Sequence, residues 1–177
     1  MTEEIFDVVD HRDQVVGTAL RSHVHAQNLL HRAVHVLLFN LKGELFVQKR
    51  AATKDSFPGC YDSSASGHLN SGEDYDLCAK RELHEELGLV LPTHRFLKHF
   101  KIEACEDTGW EFVWVYSVAT DEQPRINLDE LESGEFWTRQ RCQSMLASYP
   151  ERFARSFALV FKEFDRKRLW PAVPHAG

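Results

Sequence analysis

The segment from Gly67 to Val90, which reads GHLNSGEDYDLCAKRELHEELGLV, constrains the fold of this chain more than any other stretch. Its acidic residues Glu73 and Asp74 suit the positively polarised start of a helix. Gly88 suits the position just after a helix end, where the backbone often turns left-handed. The pattern therefore predicts one helix over residues 74–87.

Three carboxylates share one face of this predicted helix. With about 100° of rotation per residue, Glu82, Glu85 and Glu86 fall within about 100° of one another. Like charges at such spacings destabilise a helix by about 0.2–0.5 kcal/mol per pair. A solvated acidic face tolerates this cost, and a hard divalent cation with oxygen ligands removes it. The helix alone leaves both explanations open.

Further residues of the segment satisfy a long spacing rule. Gly67 is followed at fixed intervals by Glu73, by Arg81 directly before Glu82, and by Gly88 before an apolar residue. Every constrained position of the Nudix box is filled over residues 67–89, a match far more specific than a short glycine-rich motif. The chain therefore resembles the Nudix hydrolase family.

This resemblance implies an α/β fold: an α/β/α sandwich with a mixed β-sheet and a catalytic loop–helix–loop. It implies a cofactor, Mg²⁺ or Mn²⁺, and hydrolysis of a diphosphate linked to another group. By position, the family's metal ligands fall on Gly67, Glu82, Glu85 and Glu86. The catalytic residues would be Glu82, a proposed base in many members, with Arg81 and Glu85. Glu73, a salt-bridge partner of Arg81, and Gly88 would have structural roles.

A second, looser resemblance covers residues 5–165. Four short stretches are similar to type I isopentenyl diphosphate isomerases: 30–33 (LHRA), 45–50 (LFVQKR), 57–60 (FPGC) and 126–130 (INLDE). Those enzymes carry a catalytic Cys in a loop before a metal-binding His, where this chain has Ala65 and His68. Alanine cannot move a proton, and Cys60 lies five residues away from that position. Glu111 aligns with an isomerase acid and is a candidate ligand or base, although a solvent-facing strand residue remains an alternative.

Other candidates come from residue type. Glu130 and Glu132 lie in a region where Nudix enzymes sometimes supply another acid. Three cations are candidates for binding substrate phosphates, since guanidinium and ammonium groups suit anions: Arg32, Arg50 and Lys54.

The rest of the pattern predicts a single domain over residues 1–177. An N-terminal extension, 1–30, contains a hairpin near residues 5–17 and a polar loop with His23 and His25. A second hairpin is expected over 33–48, a loop over 51–71, and strands over 96–104 and 111–119. A last helix, 150–168, is expected to open at Pro150 and to bury a stripe of phenylalanines; it is the second of two predicted helices.

Composition narrows the partners. The 177 residues carry a net charge of −6, which disfavours nucleic acid and membrane surfaces and still permits a small diphosphate held through a cation. An acidic start without a signal-peptide pattern and four cysteines without a CxxC pair favour a cytoplasmic protein. Whether the chain forms a homodimer stays open. Two alternatives to a nucleoside diphosphate hydrolase also remain, an isomerase-like enzyme and a non-catalytic nucleotide-binding module.

Overall fold

The computed structural model describes residues 3–171, which form nine strands and four α-helices within that range. In chain order the elements are β1 (Ile5–Val9), β2 (Val15–Leu20), α1 (Arg21–Ala26), β3 (His31–Phe39), β4 (Leu45–Arg50), β5 (Tyr61–Asp62), β6 (Ala65–His68), α2 (Tyr75–Leu87), β7 (Leu97–Ile102), β8 (Glu111–Ala119), β9 (Leu131–Trp137), α3 (Arg139–Ser148) and α4 (Arg155–Arg166). Short 3₁₀ turns occupy Thr93–Arg95, Glu106–Thr108 and Pro150–Arg152.

A seven-stranded mixed sheet forms the centre of the fold. Its main order is β5-β4-β3-β8-β7, with β6 also paired to β3 and β9 paired to β4. The β3–β8 pair is parallel, and the other pairs of this sheet are antiparallel. Alternate residues of β3 face opposite layers, because strand side chains have a period of two. Leu37 packs with Phe157 and Phe164 of α4, whereas Val36 packs with Leu83 of α2. The predicted α/β/α sandwich with a mixed sheet is therefore confirmed.

The N-terminal hairpin forms a separate two-stranded sheet that packs beside the main one. β1 and β2 are antiparallel, as the sequence predicted. Ser71 N donates to Ile5 O (2.8 Å) and Ser71 Oγ donates to Asp7 (2.7 Å), which ties the hairpin to the loop before α2. The prediction of a polar loop around His23 and His25 is wrong, because Arg21–Ala26 is a helix that buries Val24 completely.

The hairpin expected over 33–48 is only partly formed. β3 and β4 pair at a single position, Phe39 with Leu45. β6 occupies the adjacent edge of β3 instead, and β4 runs along β9. The region 51–71, expected to be a loop, therefore contains two short strands. β5 forms hydrogen bonds with β4, and β6 forms them with β3.

The C-terminal helix starts later than predicted. Pro150 opens a 3₁₀ turn, Phe153 is extended, and α4 begins only at Arg155. The break arises because the Phe153 backbone bridges Tyr61 of β5. The phenylalanine stripe is nevertheless buried as expected, at Phe157, Phe161 and Phe164. The sequence predicted two helices, and the structure adds α1 and α3 to them, so the predicted number is also wrong. Within residues 3–171, every helix is too short or too polar to cross a bilayer.

Candidate metal and catalytic site

Local sequence sets both ends of α2, the helix that carries the acidic residues. Asp74 caps its start, with its side chain accepting a hydrogen bond from Leu77 N (2.8 Å). Gly88 ends it at a φ of 67°, and Gly88 N donates to His84 O (2.8 Å). The prediction of a helix over 74–87 is confirmed to within one residue. Because Leu83 and Leu87 face the sheet, Glu82 and Glu86 lie where the helix borders β6.

Glu82 is buried against Gly67 of β6. Arg81 Nη1 donates to Glu82 Oε1 (2.6 Å). A Cβ atom at position 67 would overlap the Glu82 carboxylate, so only glycine permits this close approach. Burial, opposed by the nearby Arg81, raises the pKa of Glu82 to about 8.

Glu86 is buried one turn further along. Its Oε2 accepts hydrogen bonds from Gln48 Nε2 (2.9 Å) and Ser66 N (3.3 Å). Burial, with Glu82 and Asp62 nearby, raises the pKa of Glu86 well above its usual value. Both buried carboxyls therefore favour the protonated form, even though Arg81 lies beside Glu82 and Lys54 opposes the rise in the pKa of Glu86.

Arg81 organises the rest of the acidic face. Its Nε and Nη2 donate to both oxygens of Glu73 (2.9 and 2.8 Å), so the expected ion pair is present. Nη1 also donates to Glu85 Oε2 (3.0 Å), and Nη2 to His68 O (2.9 Å). Glu85 remains half exposed, with 52% of its side chain accessible. The guanidinium therefore joins three carboxylates and the end of β6 in one network.

These residues form one side of a cavity of about 560 Å³. We call this side the carboxylate wall, and it consists of Gly67, Arg81, Glu82, Glu85 and Glu86. The end of β4 contributes Arg50, the loop after it contributes Lys54 and Phe57, the segment before β9 contributes Glu130, and the start of α1 contributes Arg21.

A second group of ligating side chains lies beside this cavity, with His25, His68 and Glu111 in the cavity lining and the buried His31 outside it. We call it the histidine wall, and it consists of His25 (α1), His31 (β3), His68 (β6) and Glu111 (β8). One nitrogen from each of the three imidazoles lies within 4.8 Å of the others. Glu111 Oε1 lies 2.9 Å from His68 Nε2 and 3.5 Å from His31 Nε2. The three rings also pack against Phe6 or one another.

Charge and tautomer in the histidine wall suit a cation. His31 Nδ1 donates a hydrogen bond to Leu29 O (2.8 Å), which fixes the ring with Nε2 towards Glu111 Oε1 at 3.5 Å. That Nε2 is buried and has no hydrogen-bond partner within residues 3–171. Burial and the neighbouring His68 lower the pKa of His25 to about 4. Burial alone would raise the pKa of Glu111, but His68 and His31 outweigh it and hold that pKa well below its usual range.

The predicted accessory residues divide between inside and outside the cavity. Glu111, Glu130, Arg50 and Lys54 border it. Arg50 donates to Asp62 (3.0 Å), and Lys54 pairs with Glu130.

Two of the predicted accessory residues lie outside the cavity lining. Arg32 lies outside the cavity because Asp13 holds its guanidinium at 2.6 Å. Glu132 also lies outside, where it pairs with Lys49 at 2.7 Å. The alternative prediction that Glu111 faces solvent is wrong, since its carboxylate lies between the imidazoles of His31 and His68.

The position that aligns with the isomerase Cys has no side chain that could donate a proton, and the nearest cysteine lies elsewhere. Ala65 is fully buried on β6, and Cys60 lies outside the cavity with its sulfur 3.9 Å from Glu151 O. The histidine wall is the feature that sequence reasoning missed. The available signal was the isomerase resemblance, which aligned His68 with a metal-binding His and made Glu111 a candidate ligand.

Comparison with known proteins agrees with this geometry. The model of the NUDIX domain matches residues 29–157. A protein of Streptomyces coelicolor, named as an uncharacterized Nudix hydrolase, is 40% identical over 126 residues, or 70% of each chain. Isopentenyl-diphosphate Delta-isomerase 2 of Photorhabdus laumondii is 32% identical over 152 residues, covering 84% of this chain and 85% of the isomerase.

Structural comparison gives the same result. The crystal structure of a Deinococcus radiodurans protein matches with a TM-score of 0.80 and 28% identity, over 90% of this chain and 98% of that one. The family match and the similarity to the Streptomyces protein together show that the chain belongs to the Nudix hydrolase family.

Proposed function

We propose that this protein is a divalent-cation-dependent hydrolase that cleaves a phosphoanhydride in a nucleoside diphosphate derivative by attack of water on phosphorus. One observation carries the proposal: Glu82 and Glu86 are both buried on the cavity side of α2 with raised pKa values. Burying two neighbouring carboxylates is costly, and Arg81 pairs directly with only one of them, so a bound cation is a usual source of the remaining charge.

The donor set fits a hard cation. Mg²⁺ prefers oxygen ligands, and Glu82, Glu85, Glu86 and the carbonyl of Gly67 supply them on one wall. Mn²⁺ accepts the same ligands. Within residues 3–171, Glu86 has no ion-pair partner of its own, so a cation would supply the positive charge that favours its ionised form.

The protein's own groups would orient the reaction. A bound divalent cation supplies Lewis acidity and neutralises charge on the phosphoryl oxygens. Arg81 holds Glu82 through Oε1, which leaves Oε2 as the oxygen that receives a proton from the attacking water. Arg50 and Lys54 face this wall across the cavity and would bind the substrate's phosphates.

The substrate's remaining part would lie over the loop after β4. Phe57 places a partly exposed aromatic ring in the cavity lining. Aromatic stacking suits a planar nucleobase and contributes about 1–3 kcal/mol per base in nucleic-acid binding proteins. This ring favours a nucleoside derivative over an aliphatic diphosphate.

We also propose that the histidine wall is a second cation centre. Imidazole and carboxylate ligands suit ions such as Mn²⁺ or Zn²⁺, and the bond from His31 Nδ1 to Leu29 O fixes the ring as second-sphere bonds usually do. Mn²⁺ titration should find two classes of sites in the wild-type protein. Glu111→Gln should lose the tighter class and Glu82→Gln the other. A single class in the wild type would contradict the second centre.

The isomerase alternative is not favoured, because Ala65 offers no group that could protonate a double bond. A cytoplasmic location and a homodimer stay predictions.

The test is a panel of nucleoside diphosphates and nucleoside diphosphate sugars, incubated with Mg²⁺ or with EDTA. We expect Mg²⁺-dependent release of a phosphorylated product, which Glu82→Gln slows about 10²–10⁴-fold while keeping its circular dichroism spectrum. Ligand-induced stabilisation without turnover would instead identify a non-catalytic binding module. Equal rates for the wild type and Glu82→Gln would remove Glu82 from the mechanism.

A further inference from the structure

Gln48 is a fully buried polar residue of β4 that the proposed mechanism does not use. It lies opposite Asp62 of β5 and Gly134 of β9, with no exposed surface. Its amide Nε2 donates to Glu86 Oε2 at 2.9 Å. The side chain therefore reaches from the sheet to the carboxylate wall.

Both hydrogen bonds to Glu86 fall on the same carboxylate oxygen. Gln48 Nε2 and Ser66 N donate to Oε2, whereas Oε1 accepts none from residues 3–171. Glu86 also borders the cavity. Oε1 is thus the oxygen left for a ligand in the cavity.

The carbonyl oxygen of the Gln48 amide is buried unfavourably. Its Oε1 is buried and has no hydrogen-bond partner within residues 3–171. Leaving a buried acceptor unpaired is destabilising, so packing alone would favour an apolar side chain here. The bond to Glu86 is the contact that accounts for an amide at this position.

An amide is also the suitable chemistry beside a cation ligand. It donates a hydrogen bond without a charge. A lysine at position 48 would neutralise Glu86 and compete with the cation, and a glutamate would lack the N–H donor at neutral pH.

We propose that Gln48 is a positioning residue that holds Glu86 Oε2, so that Glu86 presents Oε1 alone to the cation. This inference rests on the proposed function, since it assumes a divalent cation at the carboxylate wall. Partners of this kind typically change metal affinity by about 10–100-fold when they are removed.

The test measures Mg²⁺ binding by calorimetry without substrate. Gln48→Met keeps the length of the side chain and removes the donor, and we expect it to weaken Mg²⁺ binding about 10–100-fold. Gln143→Met is the matched control, because Gln143 lies on α3 and its Nε2 donates to Asp165 (3.0 Å) far from the cavity lining. If Gln48→Met does not fold, Gln48→Asn replaces it, since it keeps the amide but shortens its reach.

A melting curve in EDTA separates positioning from packing. A purely structural role would lower the melting temperature of Gln48→Met and leave its Mg²⁺ affinity within twofold of wild type, which would overturn the proposal. A wild-type protein that binds no Mg²⁺ would overturn it as well. A wild type that binds Mg²⁺ without hydrolysing any substrate would instead contradict only the proposed function.

Discussion

The carboxylate wall and the histidine wall differ in how the charges of their clustered ionisable groups are compensated. The carboxylate wall comes mainly from one helix and buries Glu82 and Glu86, so burial, and after it the nearby carboxylates, raise the pKa values of both. The histidine wall comes from four elements and pairs its single carboxylate, Glu111, with His31 and His68. The first wall is electrostatically incomplete without a cation, whereas the second is nearly balanced without one.

The difference suggests a division of roles. A hard ion at the incomplete wall keeps open positions for water and phosphate oxygens, as Mg²⁺ usually does. Imidazole ligands fixed by second-sphere bonds, as His31 is by Leu29, favour an ion that stays in place. We therefore assign the chemistry to the carboxylate wall.

The largest expected effect comes from removing a carboxylate of that wall. Glu86→Gln keeps the shape and removes a charge from the proposed ligand set, so we expect kcat/KM with Mg²⁺ to fall about 100-fold or more, equivalent to at least about 2.7 kcal/mol. Glu132→Gln is the matched control, because Glu132 pairs with Lys49 outside the cavity. Equal losses in the two variants would abolish the distinction between acids inside and outside the wall.

A smaller effect is expected from Arg81→Lys. Arginine contacts Glu73, Glu82 and Glu85 at once through a planar fork, and lysine cannot reproduce this geometry. Because Arg81 orients Glu82 without replacing it, we expect kcat to fall about 10–100-fold, comparable to the loss of other outer-sphere partners. Steady-state kinetics would separate this from a change in KM. An unchanged kcat would show that the network is not needed for orientation.

The smallest expected effect is a pH dependence of cation binding. In the metal-free protein burial raises the pKa of Glu82 to about 8, so below that pH the carboxyl is mostly protonated and a cation must displace the proton. Mg²⁺ affinity should therefore rise with pH, by at most about tenfold per pH unit for each proton released, and level off above about pH 8. Calorimetry in buffers of different ionisation enthalpy counts those protons. Because the pKa of Glu86 is raised as well, Glu82→Gln should make the profile shallower without abolishing it, and the same slope in both proteins would contradict the assignment.

Sequence alone predicted the carboxylate wall well because its information is local. Helix periodicity places Glu82, Glu85 and Glu86 on one face, and the caps at Asp74 and Gly88 fix the helix ends. The histidine wall was not predicted, because its four ligands become neighbours only after β3, β6 and β8 pair and α1 forms.

The misplaced accessory residues have a related explanation. Residue type identified Arg32 as a possible phosphate ligand, but type does not reveal that Asp13 of the N-terminal hairpin occupies its guanidinium. The prediction of a β3–β4 hairpin was only partly right for the same reason. β3 pairs mainly with β6, and β4 pairs mainly with β9. Long-range pairing decided each of these cases.

Hydrolysis in water enriched in ¹⁸O tests the central claim most directly. We predict that wild-type protein with Mg²⁺ places one ¹⁸O atom in a phosphoryl product, seen by mass spectrometry, and that Glu82→Gln produces this labelled product at about 1% of that rate or less. Label on the non-phosphate product, or an undiminished rate in the variant, would contradict water attack on phosphorus at the carboxylate wall.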